Sequence, residues 1–301
     1  MKIFTFSILL AFFSGQLSAA DNVANSKIEM QGVGIKSILP NGFKYPRLGT
    51  LLIDDTGTAG VTLIAAQITK NNVDRFHESQ KYSFPNPPEL FTNGKLKGQL
   101  YKRSRVGSIG NWDGIWLSVT KSNMQLDLIV FNQGPQEDSP EVFKRMRLFL
   151  DNLEWDESKL DSETAFGARV AIPGMVPVKK VVGALAYNKT GEIGDSKPSV
   201  QVNALPFSRA LNVTEFTKLC TDSLSRVFAG KKYDGPFTTT KGGISVCDGS
   251  GPDGRGNTMY VAVANLQTGN VMNAIGYIPL SMTTLNTLQI RDAILNLKLL
   301  R

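Results

Sequence analysis

Gly49-Thr50-Leu51-Leu52-Ile53-Asp54-Asp55-Thr56-Gly57 and Gly183-Ala184-Leu185-Ala186-Tyr187-Asn188-Lys189-Thr190-Gly191 share the pattern G-x-L-x-x-[DN]-x-T-G. Each reads as a short strand running into a turn rich in Asp, Asn and Gly. The same signals surround both stretches in the same order. An apolar residue and a proline come first, Leu39-Pro40 and Ile172-Pro173. A strand-like run follows, Val61 to Ile68 and Ser199 to Leu205. V-x-x-F then opens a helix, at Val73 and Phe76 and again at Val213 and Phe216. An Asp-Gly turn is read at Asp113-Gly114 and at Asp248-Gly249. Each half closes alike, on Leu150-Asp151-Asn152-Leu153 and on Leu295-Asn296-Leu297. A colinear series of this kind is the mark of a tandem duplication.

Each unit is expected to run strand, strand, strand, helix, meander, helix. Asn212 and Glu215 have capping-box spacing, and Val213, Phe216, Cys220, Leu224 and Val227 recur at helical spacing behind them. Ser139-Pro140 starts the closing helix of the first unit, with Met146, Leu150 and Leu153 as its buried stripe. In the meander, Ile115, Leu117 and Val119 answer Leu126, Leu128 and Val130 across a Ser122-Asn123 turn. Met259, Val261 and Val263 repeat the alternation before a turn from Gln267 to Asn270. The fold class is α+β, with two similar domains, each an antiparallel sheet with helices packed on it. The boundaries are a signal peptide over 1–20, a first domain over 21–155, a polar linker over 156–165 and a second domain over 166–301.

The signal peptide rests on Lys2, the apolar run Ile3 to Phe13, and the small residues Ser18-Ala19-Ala20 before Asp21. A membrane anchor is the alternative, but a span needs about 20 apolar residues. The expected location is the periplasm or outside the cell, with no transmembrane segment in the mature chain. The net charge of +7 is too mild for a nucleic-acid partner. The two cysteines, Cys220 and Cys247, are expected to form one disulfide in an exported chain, two separate thiols being the alternative.

The apolar-Pro opening Leu39-Pro40-Asn41-Gly42-Phe43, the hairpin, the V-x-x-F helix, the meander and the apolar-Asn-Leu ending resemble the Mog/PsbP-like α/β domain, twice over. That resemblance implies a binding or assembly module without family-wide catalytic residues.

Candidate chemistry in the residues is sparse. Asp55-Thr56-Gly57 has the aspartic-protease form, but that mechanism needs two carboxylates sharing a proton, and Lys189 stands where the second half would supply one. Gly249-x-Gly251-x-x-Gly254 spells a dinucleotide fingerprint, yet a strand follows it where a helix is needed. Asp248, Asp253 and Asn257 miss the calcium-loop spacing. His77, the one histidine, is read as a surface residue. No catalytic residue, metal site or cofactor is therefore expected. Lys95, Lys97, Lys102, Arg103 and Arg105, followed by Trp112 and Trp116, are the candidate partner-binding residues. The expected function is a non-catalytic exported binding protein with a protein partner, in its most concrete form an immunity-type inhibitor of a periplasmic toxin. The alternatives are an envelope-acting hydrolase using Asp54, Asp55 and Asp113, or a small-ligand or lipid carrier.

Overall fold

The structure is a computed structural model that describes residues 26–45, 48–68, 84–106, 111–193, 198–205, 210–267, 269–282 and 285–300. The expected signal peptide and the first-half helix with Val73, Phe76 and His77 lie outside these residues. The chain is an antiparallel α+β protein with two large sheets.

A hairpin of β1 (Ser26–Met30) and β2 (Ile35–Leu39) comes first. The first large sheet follows: β3 (Phe43–Lys44), β4 (Leu51–Asp54), β5 (Ala59–Gln67), β6 (Glu89–Thr92), β7 (Lys97–Arg103), β8 (Asp113–Lys121) and β9 (Met124–Asn132). Its order is β3-β4-β5-β9-β8-β7-β6. Helix α1 (Ser139–Asp151) packs on one face, and β10 (Glu154–Trp155) returns to pair with β2. The short helix α2 (Ser162–Phe166) leads to β11 (Ala168–Arg169), β12 (Val176–Pro177), β13 (Val181–Val182), β14 (Leu185–Asn188) and β15 (Ser199–Leu205). Then come α3 (Val213–Phe228), β16 (Asp234–Lys241), β17 (Ile244–Pro252), β18 (Asn257–Leu266), β19 (Val271–Pro279), α4 (Thr287–Leu295) and β20 (Lys298–Leu299). The second large sheet has the order β12-β14-β15-β19-β18-β17-β16. Within each sheet the strands therefore lie first, second, third, seventh, sixth, fifth, fourth.

The matching ends go beyond strand order. Asn152 and Asn296 close α1 and α4 in one geometry, each side-chain amide donating to the carbonyl four residues back. The strand after each then pairs with one that precedes its sheet, β10 with β2 and β20 with β11. The turns after β4 and β14 are also alike. Asp54 accepts from Thr56 Oγ1 and from the amides of Thr58 and Ala59, and Asn188 accepts from the amides of Thr190 and Gly191. Gly57 and Gly191 take φ of 74° and 71°, where a Cβ would be strained.

The strand meander is as the alternation reads. Ile115, Leu117 and Val119 lie opposite Val130, Leu128 and Leu126. The capping box of Asn212 and Glu215 is present, and Phe216, Cys220 and Leu224 are buried. Four readings need correction. Val213, at the first turn of α3, is 81% exposed and takes no part in the buried stripe. Asp113-Gly114 and Asp248-Gly249 sit inside β8 and β17, not in turns, and on strands of different rank in their sheets. The shared motif is also out of step with the pleat. Leu52 enters the first core while Leu51 is half-buried, but Leu185 and Tyr187 enter the second. A one-residue offset exchanges the faces of a strand, so the motif marks the turn and not the core pattern. Finally, the stretch read as a linker, 156–165, is folded: Leu160 and Ala165 join the first core, and Phe166 just beyond joins the second.

The two sheets touch through small residues. β13 pairs with β5, placing Val182 in the first core, while Leu48 packs in the second. A Cβ on Gly49 would sit 2.6 Å from that of Ala204, so only glycine fits this approach.

Candidate functional site

The site is built on β17 and α4. The second sheet is covered on both faces. Phe216, Leu219, Cys220, Leu224 and Phe228 of α3 pack with Cys247, Met259 and Val261 on one side. Ile290, Ala293 and Ile294 of α4 pack with Val246, Tyr260 and Ala262 on the other. Successive residues of a strand point to opposite faces, so β17 is held twice. Cys247 is bonded to Cys220 of α3. Its neighbour Asp248 accepts two hydrogen bonds from Arg291 of α4, Nε to Oδ2 and Nη2 to Oδ1, both 2.7 Å. This is the parallel, charge-assisted geometry that favours arginine over lysine. The Asp248 bond also raises the pKa of Arg291, which stays charged.

A groove of about 540 Å³ opens over this pair, lined by Phe237, Tyr260, Leu288 and Arg291 among others. Phe237 is 50% and Leu288 56% exposed. The Phe237 ring faces the Arg291 guanidinium at 5.6 Å. Tyr260 is 1% exposed, and its hydroxyl lies against the Asp248 carboxylate. Burial and then the Asp248 charge push its pKa well up, so the phenol keeps its proton. The floor is thus a neutral phenol beside an ion pair. Such an arrangement can orient a ligand; it supplies neither an activated nucleophile nor a free base.

The candidate partner-binding residues do not form one surface. Lys95 pairs with Glu154, Lys102 with Glu89, and Lys97 is exposed. Arg103 turns inward, donates to the Trp112 carbonyl and stacks 3.7 Å from the Trp112 ring. Arg105 binds Asp113 through Nε and Nη2, both at 2.9 Å. Trp116 is core: 1% exposed, stacked on Tyr101, and donating from Nε1 to Asp127 at 2.8 Å. The carboxylates weighed for hydrolysis are apart in their bonding. Asp54 serves its own turn, Asp55 pairs with Lys44, and Asp113 accepts from Arg105 and from Ser139. Burial raises Asp113, but Ser139 and Arg105 outweigh that and hold its pKa low. Asp253 and Asn257 bond each other in the β17–β18 turn. Among the described residues, no three His, Cys, Asp or Glu side chains gather as a metal site would need.

Tyr260, Arg291 and Asp127 were not singled out from the sequence. Asp127 offers a signal, a lone charge among the nine buried residues of β9. Burial pushes its pKa up to about 6 against hydrogen bonds from Gln125 and Trp116. No protein-family model, curated protein or solved structure matches this chain.

Proposed function

We propose that this chain is a non-catalytic exported binding protein, assembled from two similar α+β domains of one duplicated, Mog/PsbP-like unit. The shared strand order and the matched Asn152 and Asn296 helix ends support the duplication. The Cys220–Cys247 bond supports an oxidising compartment, the periplasm or the outside. No described helix is long and apolar enough to cross a membrane.

The observation that carries the binding reading is the groove, where exposed Phe237 and Leu288 flank a rigid Asp248–Arg291 floor. Exposed apolar side chains around a few fixed polar groups are the make-up of a recognition site. The rival hydrolase draws no support from Asp54, Asp55 and Asp113, each of which is committed to a separate partner. The partner is a protein, and the concrete form is an inhibitor that holds a toxin delivered to the same compartment. A small-ligand carrier is the second reading, favoured by the size of the groove, about 540 Å³.

The test is retention. Immobilised mature protein is expected to hold a defined partner from a periplasmic extract, and Leu288→Glu to release it. An envelope-hydrolysing activity lost on Asp55→Asn or Asp113→Asn would overturn the proposal.

A further inference from the structure

The second large sheet ends on a long open edge. β16 pairs with β17 on one side only, and six of its eight residues are exposed. The other three edges of the two large sheets are shorter, two residues in β3 and in β12 and four in β6. Among the described residues, no backbone hydrogen bond reaches β16 from its outer side. An edge of unpaired amides and carbonyls is a template for another strand. Phe237-Thr238-Thr239-Thr240 is also rich in strand-forming residues.

Charge order selects the occupant. Between Asp234 and Phe237 the pairing with β17 slips by one residue, a bulge that holds Pro236. The slip brings Asp234 onto the same face as Phe237, opposite Ser250 where Phe237 is opposite Asp248. Lys241 is on this face too, donating to Asn296 Oδ1 at 2.8 Å beside the end of α4. Thr238 stands midway between the two charges. It lies opposite Cys247, while Asp234 and Lys241 lie opposite Ser250 and Ile244, each three residues along β17 from Cys247. An antiparallel partner must be acidic where β16 is basic, and basic where it is acidic, at the same spacing. β16 meets that demand itself. A two-fold axis at Thr238 sets Asp234 of each copy against Lys241 of the other, with Phe237 against Thr239 between them.

We propose that β16 pairs antiparallel with β16 of a second copy of this chain, about a two-fold axis at Thr238, so that one sheet runs through both copies. Lys241 of the second copy then stands at the rim of the groove that Asp234 lines. This pairing goes beyond the binding reading and does not depend on what the groove holds.

The experiment is sedimentation equilibrium of the whole mature protein at concentrations up to about 1 mM. The mass is expected to rise from one chain toward two and to fall back on dilution, because a short ladder with exposed flanks is a small interface. Asp234→Lys and Lys241→Asp are each expected to weaken association about tenfold, since the two-fold repeats each like-charge contact at both ends. The double variant, with both charges reversed, is expected to recover wild-type association. Thr238→Lys sets two lysines face to face on the axis and is expected to leave a monomer. All three positions are exposed, so each variant should unfold at the wild-type midpoint when dilute. A wild type that stays monomeric at about 1 mM, a dimer indifferent to Thr238→Lys, or a double variant no better than the single ones would overturn the proposal. A monomeric wild type whose extract partner is lost on Thr238→Lys would also overturn it, and would assign the edge to a strand of that partner.

Discussion

Asp113 and Asp248 are both Asp-Gly aspartates, both buried, and both gripped by an arginine. Their surroundings differ. Asp113 stands at the start of β8 and is saturated by Arg105 and by Ser139, the first residue of α1. It closes a joint between strand and helix. Asp248 stands in the middle of β17, is held from α4, and forms the floor of an open groove beside the Tyr260 phenol. One chemical device thus serves as a clasp in one half and as the base of a groove in the other. What separates the two is that only the Asp248 pair lines an open groove.

The clasp can be broken directly. Arg105→Ala leaves Asp113 buried with its charge uncompensated, and should cost about 3–5 kcal/mol in urea unfolding. A loss below about 1 kcal/mol would place the pair at a surface. The second half has a covalent counterpart. The Cys220–Cys247 bond closes 27 residues of separation, and replacing both cysteines by serine should cost about 3–4 kcal/mol. Unfolding that stays unchanged after the replacement would show that the packing of α3 on β17 suffices alone.

A third buried aspartate sharpens the contrast through pH. Asp127 is raised from 3.8 to about 6, burial being the main cause. The folded state therefore holds this proton more tightly than the unfolded one. Its contribution to stability is greatest below about pH 4, falls as pH rises to about 6, and stays low above that, a span of about 3 kcal/mol. The difference between the wild type and Asp127→Asn, followed by unfolding at pH 4.5 and 7.5, should show that fall. A difference constant with pH would contradict it. Asp113 has the opposite sign, since its lowered pKa stabilises above its unfolded value and is lost in acid. The smallest effects belong to the exposed cations. Lys95→Ala and Lys102→Ala break solvent-exposed pairs and should each change stability by less than about 0.5 kcal/mol. Neither should alter partner retention, and a loss of retention would restore the basic strip as a docking surface.

The features legible in the sequence are those set by local rules. A turn and an alternation fix a hairpin, so the Ser122-Asn123 register could be read residue by residue. A capping box lies within one turn of helix, so Asn212 and Glu215 could be read as well. The Cys220–Cys247 bond was legible because an exported chain with two cysteines favours one disulfide over two separate thiols. Arg291 and Asp248 lie 43 residues apart, and no periodicity states where α4 docks on the sheet. Tyr260 was hidden for a related reason. Its position in β18 predicts burial, but its place beside Asp248 and Arg291 depends on how α4 docks. The basic run misled because charge was read as exposure, while Arg103 and Arg105 turn inward to Trp112 and Asp113.

The most direct test sets the two arginines side by side. Arg105→Ala and Arg291→Ala are prepared in the mature protein, and retention of the extract partner is measured at a temperature where both remain folded. Arg105→Ala is predicted to lose stability and keep the partner, and Arg291→Ala to lose the partner by at least about tenfold. Equal retention by the two variants would contradict the claim that the Asp248 groove is where this protein binds.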